Sequence, residues 1–192
     1  RQYLYGTREY REQTTMYDGL GLPYLLCDKG AATSGKNLLA LKEYDNQLRE
    51  TKTWLPIACP SENVGNFSTL SQQFYNDATA FLTQIYEPME NGRLTASQQP
   101  GSDLSGKKQT KTYRGNLTDI IQLMCRRYVT TTDGQLSSNG LYAPGELEVC
   151  TEIDEDGHTT YTFTDFTGKT LLTRCMKGLE TFDTYYVYDP FG

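Results

Sequence analysis

The feature that most constrains this chain is a small unit used several times: an aromatic or apolar stretch that halts at Asp and is closed three residues on by Gly. It occurs at Tyr17-Asp18-Gly19-Leu20-Gly21, Ile153-Asp154-Glu155-Asp156-Gly157, Thr164-Asp165-Phe166-Thr167-Gly168 and Tyr188-Asp189-Pro190-Phe191-Gly192. An Asp carboxylate accepts hydrogen bonds from backbone N–H groups two residues on, and Gly supplies the positive φ that closes a short hairpin turn. Asp18, Gly21, Asp154, Gly157, Asp165, Gly168, Asp189 and Gly192 are therefore read as structural turn residues. After Asp45 the chain runs on as Asn46-Gln47-Leu48, without the glycine, which predicts an altered turn. Asp18 and Asp45, like Asp165 and Asp189, stand roughly 25 residues apart, an interval typical of repeat architectures.

Between the turns the composition favours strand. Fifteen Tyr, 7 Phe and many Thr supply the aromatic and branched side chains that suit a pleated, half-buried surface. From Thr159 to Asp165 the alternation is clean, with Tyr161 and Phe163 on one face and Thr160, Thr162 and Thr164 on the other. Leu171 to Met176 returns as the partner strand, residues 177–181 turn the chain, and Tyr185 to Asp189 starts the next strand. Earlier strands are expected at Thr14 to Tyr17, Tyr24 to Cys27 and Leu39 to Tyr44, and later ones at Ile120 to Val129 and Leu147 to Ile153. One short helix is expected near 69–76, capped by Ser68 or Thr69. Residues 86–111 carry Pro88, Gly92, Pro100 and Gly101 and read as loop with a helical turn around Arg93 to Ser97. The fold class is mostly β, an antiparallel hairpin meander with one short helix. Residues 1–56 form a hairpin segment, 57–145 an irregular insertion holding the helix and the strands near 120–129, and 146–192 a second set of hairpins, truncated at its C-terminal end.

The ordered series of these units resembles a known family. Tyr17 to Gly21, Phe163 to Arg174, and Asp183 to Gly192 look like Rhs/YD repeats, and in particular like the uncharacterised domain that precedes the repeats in Bacteroidetes-type Rhs proteins. Trp54-Leu55-Pro56 and Tyr86-Glu87-Pro88 fit the same pattern, so the resemblance spans nearly the whole chain. Gly21 is followed by Leu22-Pro23 where these repeats usually carry Arg, a departure from the pattern. The resemblance implies hairpins of YD-type repeats and a scaffold: a strip of antiparallel strands wound into a hollow shell that in many members encloses a C-terminal toxin. It also implies an extracellular or bacterial cell-surface location. The implied partners are the rest of its own chain, namely further YD repeats and a C-terminal effector domain.

Other chemistries are weaker on the residues. A net charge of −6 disfavours nucleic acid, although residues 106–145 are locally basic. No apolar run reaches the ~18–20 residues that span a bilayer. His158, the single histidine, follows a turn glycine, so a Ser-His or Cys-His active site has no second candidate base, and no catalytic residue or cofactor is expected. Glu152, Asp154 and Asp156 place acids at alternate positions before Gly157, like the front half of a calcium loop, but Phe163 stands where the bidentate Glu belongs. These three are the metal candidates, and the turn reading is preferred. Five widely spaced cysteines, with no Cys-x-x-Cys, predict neither a disulfide framework nor zinc, and Cys150 and Cys175 read as small buried apolar residues. The alternative to a scaffold is a module that binds a glycan or a cell-surface protein through aromatic faces, with Trp54 as its platform.

Overall fold

The computed structural model describes residues 2–3, 10–61, 65–131, 134–178 and 180–188. The chain forms two compact units, residues 1–108 and 109–192. The division falls inside the segment 57–145 that sequence patterning treats as one insertion.

The first unit holds β1 (Gln2–Tyr3), β2 (Tyr10–Arg11), β3 (Gln13–Tyr17), β4 (Pro23–Asp28), β5 (Asn37–Tyr44), β6 (Glu50–Trp54), β7 (Ile57–Cys59), α1 (Phe67–Tyr75), β8 (Phe81–Tyr86) and β9 (Leu94–Gln98). β1 pairs with β2, and the larger sheet runs β9-β8-β6-β5-β4-β3, antiparallel throughout. β6 and β7 lie along the same side of β5, β6 beside Lys42 to Tyr44 and β7 beside Asn37 to Leu39. The break between them is Leu55-Pro56, where proline has no N–H for the ladder and Leu55 donates to Ala80 O instead. Leu25, Cys27, Leu39, Trp54, Ile57 and Cys59 form the core with Phe67 of α1. The registered pairs Cys27 with Leu39 and Leu25 with Leu41 explain why alternate residues of two strands meet on one face.

The helix begins at Phe67, two residues ahead of its expected start. Asn66 holds the N-cap position without a side-chain bond, and Asn76 ends the helix in the left-handed conformation, φ 50°. The helical turn expected around Arg93 to Ser97 is instead the strand β9, Leu94–Gln98, because its pairing with β8 overrides the weak local preference of Leu-Thr-Ala-Ser-Gln.

The second unit holds β10 (Gln109–Gly115), β11 (Arg126–Thr130), β12 (Leu136–Leu141), β13 (Glu148–Ile153), β14 (Thr159–Thr164), β15 (Thr170–Lys177) and β16 (Glu180–Tyr185). β10-β13-β14-β15-β16 is an antiparallel sheet and β11-β12 a separate hairpin. The strand expected over Ile120 to Val129 is shorter. Ile121–Leu123 is a 3-10 turn that buries Leu123, and the strand begins only at Arg126. The last strand is also displaced: β16 ends at Tyr185, so the turn before it is tighter than 177–181, and Tyr186 to Tyr188 lie beyond the strand.

Alternation along these strands separates two faces. Val149, Phe163 and Leu172 stand in register and pack with Leu123, Cys125 and Leu147, while Thr162, Thr173 and Thr184 form a registered row on the opposite face. Two polar residues enter this core fully satisfied. Asn116 is fully buried; its amide donates to the carbonyls of Tyr142 and Ala143, and its Oδ1 accepts from Leu147 N–H. Arg174, 5% exposed, donates Nε and Nη2 to the Asp183 carboxylate at 2.7 and 2.6 Å, and Nη1 to the carbonyls of Ile121 and Met124. A buried guanidinium is tolerable only with this many partners.

Candidate functional site

The Asp-x-x-Gly units fold into one turn, built the same way each time. In each, the Asp backbone N–H donates to the carbonyl four residues on, and the N–H three residues on donates back to the Asp carbonyl. This holds at Asp18, Asp154 and Asp165, all at 2.9–3.1 Å. One oxygen, Oδ1, then accepts two further N–H groups, at +2 and +4: Leu20 and Leu22 for Asp18, Asp156 and His158 for Asp154, Thr167 and Lys169 for Asp165. Gly21, Gly157 and Gly168 sit at φ 82°, 86° and 86°, the left-handed position that this closure requires. Asp189 and Gly192, the last turn read from the sequence, lie outside the described residues.

Asp45 makes the same turn, not an altered one. Its Oδ1 accepts from Gln47 and Arg49, its backbone bonds match the others, and Leu48 takes φ 63° where the others have glycine. A branched residue there is strained by about 1–3 kcal/mol. Arg49 supplies extra contacts: Nε and Nη2 reach Asp45 Oδ2 at 2.9 and 2.8 Å, Nη1 donates to the carbonyls of Glu87 and Met89, and the guanidinium lies 4.7 Å from the Tyr86 ring centre. Arg49 thus ties the β5-β6 turn to the β8-β9 loop. Two looser relatives of the turn share its backbone bonds. Thr131 uses its hydroxyl to accept from Gln135 N–H, and the Ala32-to-Lys36 turn closes on Gly35 at φ 72°.

The carboxylates of Asp154 and Asp165 are held ionised. Thr167's hydroxyl and the turn N–H groups keep Asp165 below the usual carboxylate range, and the His158 N–H does most to lower Asp154. Asp77 is lowered furthest, to about 2, by the N–H groups of Ser102 and Thr79. It thereby pins the end of α1 to the segment that follows β9.

The second unit carries a concavity of about 170 Å³ with five tyrosines in its wall, Tyr128, Tyr142, Tyr185, Tyr186 and Tyr188. Arg126, Lys169 and Asp165 also line it. Tyr128 and Tyr185 pack edge to face with centres 4.8 Å apart, and the Tyr185 oxygen takes the backbone N–H of Arg126. Tyr186 N–H donates to Leu171 O, and the Tyr188 hydroxyl donates to Thr170 O, which lays the segment after β16 back along β15. Lys169 stands 5.0 Å above the Tyr188 ring. Burial pushes the phenols of Tyr142 and Tyr185 up, so both remain neutral donors.

The family model described as a domain of unknown function, DUF6443, matches residues 4–117. The chain belongs to that family. No curated protein and no solved structure matches it. The DUF6443 match covers the first unit and runs into the second as far as Leu117, just past the buried Asn116; the tyrosine concavity lies outside it.

Several residues singled out in the sequence of this DUF6443 chain land elsewhere than expected. Trp54 is 3% exposed, packed on Phe81 with its Nε1 donating to Glu43 Oε1 at 2.6 Å. It is a core residue, and its ring faces are not a platform for a ligand. Glu152 pairs with Lys111 at 2.9 Å and accepts from Gln109, Asp154 is engaged by its own turn and by His158 Nδ1, and Asp156 gives its N–H to Asp154. Among the described residues no group of three or more His, Cys, Asp or Glu comes together as a metal site. Cys150 is half-buried and Cys175 exposed, because both stand on the threonine face of the sheet and not on the core face; the five cysteines are free thiols. Cys125 is the buried one of this unit, its thiol pushed up to about 12 by burial. No local sequence pattern announces the concavity, because its walls come from β11, the residue after β12, the β14-β15 turn and start of β15, and the end of β16 with the residues after it.

Proposed function

We propose that this chain is a non-catalytic structural segment of a secreted or surface protein of the Rhs/YD-repeat type, contributing hairpins to a β-shell that encloses a C-terminal effector. The observation that carries the reading is the hairpin closure repeated at Asp18, Asp45, Asp154 and Asp165. A single reusable corner, applied to short strands, is what a chain needs to extend one sheet by hairpin after hairpin. Supporting it, the acidic side chains that sequence motifs offered for metal binding are engaged in turns and in a strand-to-strand ion pair, which are architectural roles.

On this reading the outer edge of β16 receives the next hairpin of the same protein. A bare edge presents unpaired N–H and C=O groups and invites association. Residues 1–192 alone are expected to self-associate weakly in sedimentation equilibrium, and the same chain extended by the following hairpin of its natural sequence is expected to be monomeric. Strict monomers at high concentration in both cases would contradict the reading.

A further inference from the structure

We propose that the tyrosine-walled concavity of the second unit binds a single ring of an acidic saccharide, with the sugar's apolar C–H face against the tyrosines and its carboxylate toward Arg126 and Lys169. The inference goes beyond the scaffold reading and does not depend on it.

Three features select this ligand class. The first is shape. A volume of about 170 Å³ lies below the ~300–1,000 Å³ of pockets that enclose drug-sized molecules, so it suits one ring or a chain end and not an extended ligand. The second is the wall. Tyrosine offers a flat apolar ring beside a hydroxyl that donates and accepts, which matches the alternation of C–H faces and hydroxyl groups on a pyranose. Tyr186 and Tyr188 are 44% and 38% exposed, unlike the aromatic residues Trp54 and Phe163, which the cores cover. Two of the wall rings, Tyr188 and Tyr185, are also held in place. Tyr188 is anchored through Thr170, Tyr185 through Arg126 and its contact with Tyr128, so little side-chain freedom remains to be lost on binding.

The third is charge. Arg126 and Lys169 line the concavity with one carboxylate, Asp165, whose Oδ1 already accepts the N–H groups of Thr167 and Lys169 and the Thr167 hydroxyl. The lining therefore favours an anion over a neutral sugar, and a guanidinium is suited to grip a carboxylate through two parallel hydrogen bonds. The surrounding sequence makes this local balance stand out, since residues 146–192 are strongly acidic overall.

The test is titration of residues 1–192 with a uronic-acid disaccharide and with its neutral counterpart, followed by calorimetry at low and at physiological salt. Saturable binding is expected for the acidic sugar, weaker binding for the neutral one, and a preference that shrinks as salt screens the lining charges. Tyr186→Ala is expected to weaken both sugars roughly five- to tenfold. Lys169→Gln is expected to reduce the acidic preference, weakening the acidic sugar more than the neutral one. Far-ultraviolet circular dichroism confirms that each variant is folded, and because Tyr186 and Lys169 lie outside the hydrophobic core neither substitution removes a core residue. The proposal is overturned by the absence of saturable binding, by equal affinity for the two sugars, or by binding that Tyr186→Ala leaves unchanged. None of these outcomes bears on whether β16 accepts another hairpin, and an edge that fails to accept one leaves this site intact.

Discussion

The β5-β6 hairpin of the first unit and the β14-β15 hairpin of the second turn the same corner with different residues. Both begin at an Asp whose Oδ1 gathers N–H groups at +2 and +4, and both close with the same pair of backbone bonds. One has Gly168 at the left-handed position, φ 86°, and the other Leu48, φ 63°. The carboxylate cap and the shared pair of backbone bonds therefore define the corner, and glycine lowers its cost without being indispensable. Where glycine is missing, Arg49 holds the turn through Asp45 Oδ2 and two carbonyls of the neighbouring hairpin loop. In the β14-β15 turn the matching position holds Lys169, and the buried arginine of the second unit, Arg174, lies in β15, where it pairs with Asp183 of β16.

The two arginines give the largest expected contrast. Arg174→Met strands the carbonyls of Ile121 and Met124 and leaves the solvent-accessible Asp183 without its cation, and is expected to cost about 2–4 kcal/mol in denaturant unfolding. Arg49→Met, at a side chain that remains partly hydrated, is expected to cost about 1–2 kcal/mol. Equal losses would mean that the burial of Arg174 carries no energetic weight.

Next in size are the turn glycines. No atom lies within 4 Å of where a Cβ at Gly168 would stand, so the cost of Gly168→Val comes from backbone conformation alone and is expected to be about 1–3 kcal/mol. From sequence, Thr167→Val looks neutral. The structure changes that expectation, because the Thr167 hydroxyl donates to Asp165 Oδ1 at 2.7 Å, and its loss is expected to cost about 1 kcal/mol. A Gly168→Val variant as stable as the parent would remove the basis for treating the glycine as the turn's strain relief.

The reverse substitution sharpens the same comparison. Leu48→Gly relieves the left-handed strain but adds unfolded-state entropy, so a net gain of about 0.5–1 kcal/mol is expected in thermal unfolding. A loss would show that the exposed Leu48 side chain contributes packing that outweighs its backbone strain.

The smallest effect is acid sensitivity. Asp77, Asp154 and Asp165 all have lowered folded-state pKa values, so their contribution is fully present above the ordinary carboxylate range and is lost as pH falls through the folded values. For Asp77 the window runs from about 4, the unfolded value, down to about 2. Asp77→Asn is expected to flatten the melting-temperature profile of the first unit in that interval, and a profile unchanged by the substitution would contradict the role given to the Ser102 and Thr79 N–H groups.

How much of this was legible in the sequence follows from how local each feature is. The β13-β14-β15 hairpins were readable because Thr160, Thr162 and Thr164 alternate with Tyr161 and Phe163 between two Asp-x-x-Gly turns. The turn at Asp45 is half readable: the Asp is plain in the sequence, but without a glycine at position 48 nothing local announces that the backbone still takes the left-handed conformation there. β9 was hidden because Leu94 to Gln98 has little strand preference and sits between breakers, and only its pairing with β8 makes it a strand. The fate of Trp54 and Cys175 depended on which face of a strand meets the core, and the concavity on segments brought together from across the second unit.

Hydrogen exchange at β16 tests the central claim most directly. In residues 1–192, β16 is paired by β15 on one side, from Leu172 with Tyr185 to Lys177 with Glu180. The account predicts that alternate amides of Glu180 to Tyr185, those pointing away from β15, exchange rapidly in this chain and become protected when the next hairpin of the natural sequence is present. Full protection of every amide in residues 1–192 alone, or no change on extension, would contradict the claim that this sheet is continued by its own chain.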